Sequence, residues 1–286
     1  MSEEFIHFKK QRELGEILSV TFKFLRENYK PAGKIFLKLV GPVFILLIAA
    51  VTYYAWTTLG ETFISAAGFD SSGFVISFAL MLLAYLLYVA TMTGTIYHII
   101  LSYMNNRGEI VPSEVVSGMK SDFGKLLLLT FLSWVIIFAG MLFFILPGIY
   151  LAVPISLASA VLVFRREGIA GSISDCFQLV KNNWWMTFAT LLCIGLIVYL
   201  VSLIFQLPVI FYYMIKAFVV ATENSGANIS EVFGPGYIIL NVITSIFQYL
   251  IYSITPIGVA FVYFNLNEKQ NFTGAYETIQ NLGNNN

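Results

Sequence analysis

Few residues in this 286-residue chain have the type and spacing to do chemistry. His98, in the run TIYHIIL, is the one histidine in an apolar setting, and it reads as a packing residue before a base or a ligand. His7 lies in the polar leader. Cys176 and Cys193 stand apart, without the CxxC or CxxH spacing of a metal site. HExxH, GxSxG, Walker A and aspartate clusters are all absent, so metalloprotease, hydrolase and ATPase chemistry lack their parts. Ion-coupled carriers place a carboxylate at the bilayer midplane beside broken helices. Pro154, Pro208 and Pro256 supply possible breaks, but no carboxylate accompanies them. Asn241, Gln248 and Gln206 could hold something polar, although bonding between helices is the commoner use. The expectation is a protein that is not an enzyme and uses no cofactor and no metal.

The elements that would position these residues are membrane helices. Hydrophobic residues make up 58% of the chain and charged ones only 11%, where soluble domains carry about a quarter. Apolar runs of the roughly 20 residues needed to cross a 30 Å hydrocarbon core recur without internal charge. They predict spans over about 35–56, 74–103, 125–146, 149–164, 185–205 and 237–263, within a single domain over 1–266. A polar tail, 267–286, follows and is expected to be cytoplasmic and to end in disorder. The run 74–103 is longer than a bilayer needs, and Gly94 among threonines predicts its bend. Pro147-Gly148 predicts the turn of a hairpin between the third and fourth spans. Pro154 frees a carbonyl one turn back, which in lipid must find a donor elsewhere. The stretch VIFYYMIKAFVV after Pro208 is either a continuation of the fifth helix or a separate surface helix.

Three further segments, 8–30, 113–123 and 169–184, show an apolar stripe against a polar face and predict amphipathic helices. In the third, Ser172 and Asp175 have the spacing of a capping box. With six spans, fifteen of the sixteen basic residues fall on the side of both termini. Only Lys216, with Glu61, Asp70, Glu223 and Glu231, lies opposite. The positive-inside rule then predicts that the N-terminus and C-terminus are cytoplasmic. Balanced charge gives no reason to expect nucleic acid as a partner.

Leu18–Tyr29, LSVTFKFLRENY, aligns with Ile173–Trp184, ISDCFQLVKNNW, and VVSGMKSDF at Val115–Phe123 fits the same register more weakly. The fold expected is therefore an all-α integral membrane protein: three tandem helical hairpins, each preceded by a cytosolic amphipathic segment. This arrangement, with LPGIYL at the hairpin turn, SISDCFQLVKNNWW before the fifth span and FVYFNLNE at the exit of the sixth, resembles a bacterial membrane family. That family is related to the membrane domain attached to some glycerophosphodiester phosphodiesterases. The resemblance implies a six-helix inner-membrane protein, and without a catalytic barrel it implies no phosphodiesterase activity. Arg165, Arg166, Lys181, Trp184, Trp185, Lys23 and Arg26 are the residues expected to touch anionic headgroups of membrane lipids or a protein partner. The reading that follows is a non-catalytic membrane scaffold or complex subunit, with a membrane protein partner or as a homo-oligomer. The alternative is a transporter or lipid-handling protein, and it requires a cavity between hairpins.

Overall fold

Where the apolar runs are interrupted decides where helices end. The computed structural model describes residues 5–59, 71–222 and 234–283, and every regular element among them is an α-helix. These are α1 (Leu14–Leu59), α2 (Ser71–Asn105), α3 (Pro112–Phe143), α4 (Ile145–Ile155), α5 (Ala158–Arg165), α6 (Ile169–Val180), α7 (Trp184–Thr222), α8 (Pro235–Tyr252), α9 (Ile254–Asn271) and α10 (Thr273–Gly283). Among the described residues six stretches are long and apolar enough to cross a membrane: α1, α2, α3, α4 with α5, α7, and α8 with α9. The chain is a multi-pass membrane protein by this measure. Glu61, Asp70, Glu223 and Glu231 lie outside the described residues.

Several boundaries differ from the sequence expectation, each for a local reason. The segment 8–30 is not a separate helix: from Leu14 onward it runs unbroken into the first apolar run. Likewise 113–123 is the first part of α3. The turn between α3 and α4 falls at Phe144, which is extended (φ −166°, ψ 154°), and not at Pro147-Gly148. Those two occupy the first turn of α4, where proline loses no helical hydrogen bond. Gly94 does not interrupt α2; a Cβ there would lie 2.5 Å from Leu126 Cδ1 and 2.8 Å from Met119 Sδ, so its bare backbone admits α3. Ser172 lies inside α6 and bonds back to the Gly168 carbonyl, while Gly168 takes the N-cap position without a side-chain cap. The stretch after Pro208, with Lys216, is a continuation of α7. Asn265, Asn267 and Glu268, at or beyond the expected start of the tail, are buried in α9, and α10 follows.

The chain divides into two units. The first comprises residues 1–40, 89–196 and 253–286. It holds both histidines and fifteen of the sixteen basic residues. Its core is the aromatic cluster of Phe8, Phe24, Tyr103, Phe261 and Phe264, in which Phe8 stacks on Phe261 at 4.5 Å. The N-terminal segment is fastened into it by Ile6 N donating to Tyr103 Oη and Arg12 N donating to Asn265 Oδ1. Lys9 pairs with Glu277 of α10, so the two described chain ends lie together. Cys176 is buried in α6, and burial pushes its thiol up to about 12, a poor nucleophile at neutral pH. The second unit, residues 41–88 and 197–252, carries one basic residue, Lys216. Tyr88 Oη donates to the Tyr249 carbonyl there, Thr244 Oγ1 to the Phe205 carbonyl, and Phe205 stacks on Phe247. Gln248 is used in a bond to Tyr252 Oη.

Candidate functional site

Within the first unit, α2, α3 and the α5–α6 connection enclose a half-open polar cavity of about 700 Å³. Serine recurs every fourth residue on α3, at 113, 117 and 121, which places three hydroxyls in a row along one helix face. Glu114 and Asp122 flank that row. Opposite them α2 contributes His98, Ser102 and Asn105, and the far wall carries Arg166 and Glu167.

Gly118 decides how His98 enters. A Cβ at 118 would overlap the imidazole at Nδ1 and lie 2.7 Å from Cε1, so only glycine lets the ring lie flat against α3. The histidine is 6% exposed, and its Nε2 stands 3.3 Å from Asp122 Oδ2 without the alignment of a hydrogen bond. Asp122 also faces Lys125 Nζ at 3.8 Å. Glu114 Oε2 accepts from Ser102 Oγ at 3.0 Å and from Asn106 Nδ2 at 2.8 Å, while Ser102 Oγ accepts from Val111 N. That network fixes one end of the cavity and leaves the buried imidazole nitrogen at the other without a full partner. Arg166 has φ 57°, the left-handed conformation that ends α5 and turns its side chain toward the cavity rather than along the helix.

The residues expected to meet lipid or a partner do not form one site. Arg166 is the only one of the seven that lines this cavity. Arg165 is engaged structurally, donating to Asp175 Oδ2 at 2.7 Å and to Asn267 Oδ1 at 2.9 Å. Lys181, Trp184 and Trp185 line a separate shallow hollow with Leu146, Pro147 and Tyr150. Lys23 and Arg26 line two further hollows beside the N-terminal segment and beside Gly108. Comparison with protein-family models, with curated proteins and with solved structures gives no match. The site therefore rests on its own geometry.

Trp184 answers a need created by Pro154. Proline has no amide hydrogen, so the carbonyl of Tyr150, four residues earlier, is left without its helical donor. Trp184 Nε1 supplies one at 3.2 Å, and its ring stacks on Tyr150 at 5.6 Å. Trp184→Phe is expected to cost about 1 kcal/mol, the worth of one hydrogen bond. In a Pro154→Ala background, where an amide is restored, the same change is expected to cost almost nothing. Thermal unfolding of the four proteins in detergent checks this cycle.

The serine period of SEVVSGMKSDF marks the polar face of α3, but it does not show that this face lines a cavity. Nothing in the sequence indicated that His98 would meet that face.

Proposed function

We propose that the protein binds the polar headgroup of a phospholipid in the cavity at His98, as a lipid-handling membrane protein without catalytic turnover. The carrying observation is a half-open polar cavity of about 700 Å³ whose wall holds His98 and charged side chains of both signs. The lining bears both signs of charge: Lys125 and Arg166 suit a phosphate, and Asp122, Glu114 and Glu167 suit an ammonium group. A headgroup with both, such as phosphatidylethanolamine, matches that pairing better than an anionic one.

Chemistry is less well supported than binding. His98 makes no hydrogen bond to a serine hydroxyl, so the nucleophile and base pairing of a hydrolase is not assembled here. The basic residues of the first unit support a bacterial inner-membrane protein with both termini in the cytoplasm. Kinship with the phosphodiesterase-associated membrane family remains part of this reading and contributes no activity to it. A role as a scaffold or complex subunit is compatible with headgroup binding.

Native mass spectrometry of the detergent-purified protein with added phosphatidylethanolamine tests the proposal. Lys125→Ala with Arg166→Ala is expected to lower retention of the lipid about tenfold, equivalent to roughly 1.4 kcal/mol. Equal retention by the double variant overturns it.

A further inference from the structure

The stacked pair Tyr150 and Trp184 bears on how the chain is threaded. Tyr150 lies near the turn between α3 and α4, and Trp184 follows the exposed Lys181 and Asn182. Leu146 and Pro147, at the turn, line the same hollow as Lys181, Asn182 and Trp185. If α3 and α4–α5 crossed the membrane upright, that turn would stand a full hydrocarbon thickness from the charged segment that precedes α7. The two are in contact instead.

Chain length tightens the argument. The carbonyls of Gln178 and Leu179 accept from Gln270 Nε2, at 3.2 and 2.9 Å, which ties the end of α6 to the end of α9. Five residues separate Leu179 from Trp184, a reach of at most about 18 Å even when fully extended. Lys181 N donates to the Phe177 carbonyl and Asn183 N to the Val180 carbonyl, so the real path is a turn and shorter still. A hydrocarbon core of about 30 Å does not fit into that distance. The base of the hairpin is held at the same place, because Arg165 donates to Asn267, three residues before Gln270. Residues Ile145–Arg165 would measure about 30 Å as a straight helix. Yet the Arg165 end bonds Asn267 of α9, while Leu146, at the other end, shares a hollow with Lys181, two residues from the Leu179 carbonyl that bonds Gln270.

We infer that α3 and α4–α5 do not cross the bilayer but lie along one membrane surface as an interfacial hairpin. The chain then crosses four times, through α1, α2, α7 and α8–α9. The occupant of the hairpin's open face is the lipid of that leaflet. Leu142, Phe144, Ile145 and Leu146 are each more than 70% exposed at the tip, as is Trp185 beside it. Lys181 stands next to them, so apolar side chains enter the acyl boundary while the cation meets headgroup phosphate. Charge counting could not separate four crossings from six. A hairpin that returns to its own side adds no basic residue to the other, and the predicted spans 125–146 and 149–164 contain no charge beyond Lys125.

The test uses the full-length protein in native membranes, with Cys176→Ala and Cys193→Ala as background. Tyr150→Cys with Trp184→Cys is expected to be joined by a short bifunctional maleimide, as is the control pair Arg165→Cys with Asp175→Cys. In a second variant, a short Gly-Ser insert bearing one cysteine between Leu146 and Pro147 is compared with Asn182→Cys. Both are treated with a membrane-impermeant maleimide on right-side-out and inverted vesicles. Reaction of insert and Asn182→Cys from the same face is the expected result. Reaction from opposite faces overturns the interfacial hairpin, as does an insert reached from neither face. Failure of the 150–184 cross-link while the control pair is joined overturns the contact on which the inference rests.

Discussion

Glu268→Ala is expected to destabilise the protein by about 2–3 kcal/mol, read as a lower midpoint of thermal unfolding in detergent. Glu268 is 5% exposed, and its carboxylate accepts three bonds from the chain that follows it. These come from Thr273 Oγ1 at 3.0 Å, Gly274 N at 2.8 Å and Ala275 N at 3.1 Å. Two of the three are backbone amides of the first turn of α10, where a negative charge also meets the positive end of the helix dipole. Truncation removes the shared acceptor of all three bonds and the side chain that anchors α10. Because Lys9 of the N-terminal segment pairs with Glu277 of the same helix, the loss extends to the packing of the first residues. Glu268→Gln keeps one acceptor oxygen and is expected to lose about half as much stability as Glu268→Ala.

Gly148→Leu is expected to be of similar size, about 3 kcal/mol, through overpacking rather than a lost bond. A Cβ at 148 would overlap Met141 Cγ and stand 3.1 Å from both Met141 Cα and N, so a backbone would have to move. Gly140 makes the reciprocal approach, where a Cβ would lie 3.1 Å from Gly148 Cα. The two glycines bring α3 and α4 to backbone contact. With leucine at 148 the helices separate, and a drop in helical cooperativity accompanies the lower unfolding midpoint. Gly33→Ala, where a Cβ would meet nothing within 4 Å, is the matched control and is expected to change stability by less than about 1 kcal/mol.

The class of the fold was legible in the sequence because its signals are additive along the chain. Uncharged runs, helical period and the placement of lysine and arginine each report on a segment without reference to its neighbours. Pro154 is the instructive case. The sequence predicts an orphan carbonyl that needs a partner from a neighbouring helix or a serine, and Trp184 is that partner. Where the donor came from was not legible, since it depends on α6 folding back along α4 and α5. The same limit hid the cavity. His98, Gly118 and Asp122 are separated by a helix turn and a connector, and only the close approach of α2 and α3 at Gly94 and Gly118 makes them neighbours. The turn expected at Pro147-Gly148 lies at Phe144, and of the two readings open after Pro208 the structure has the continuous helix. Pro147 begins a helix and Pro208 lies within one, because first-turn positions and long, well-supported helices tolerate the missing amide.

The chain has two histidines, His7 and His98, and they line different hollows of the first unit. Selective ¹⁵N labelling of histidine therefore gives a direct view of the cavity, with an internal reference. On titration of the detergent-solubilised protein with short-chain phosphatidylethanolamine, the imidazole signals of His98 are predicted to shift saturably. Those of His7 are predicted to stay in place. Unchanged His98 signals at saturating lipid, or equal non-saturating shifts of both residues, would contradict headgroup binding at this site.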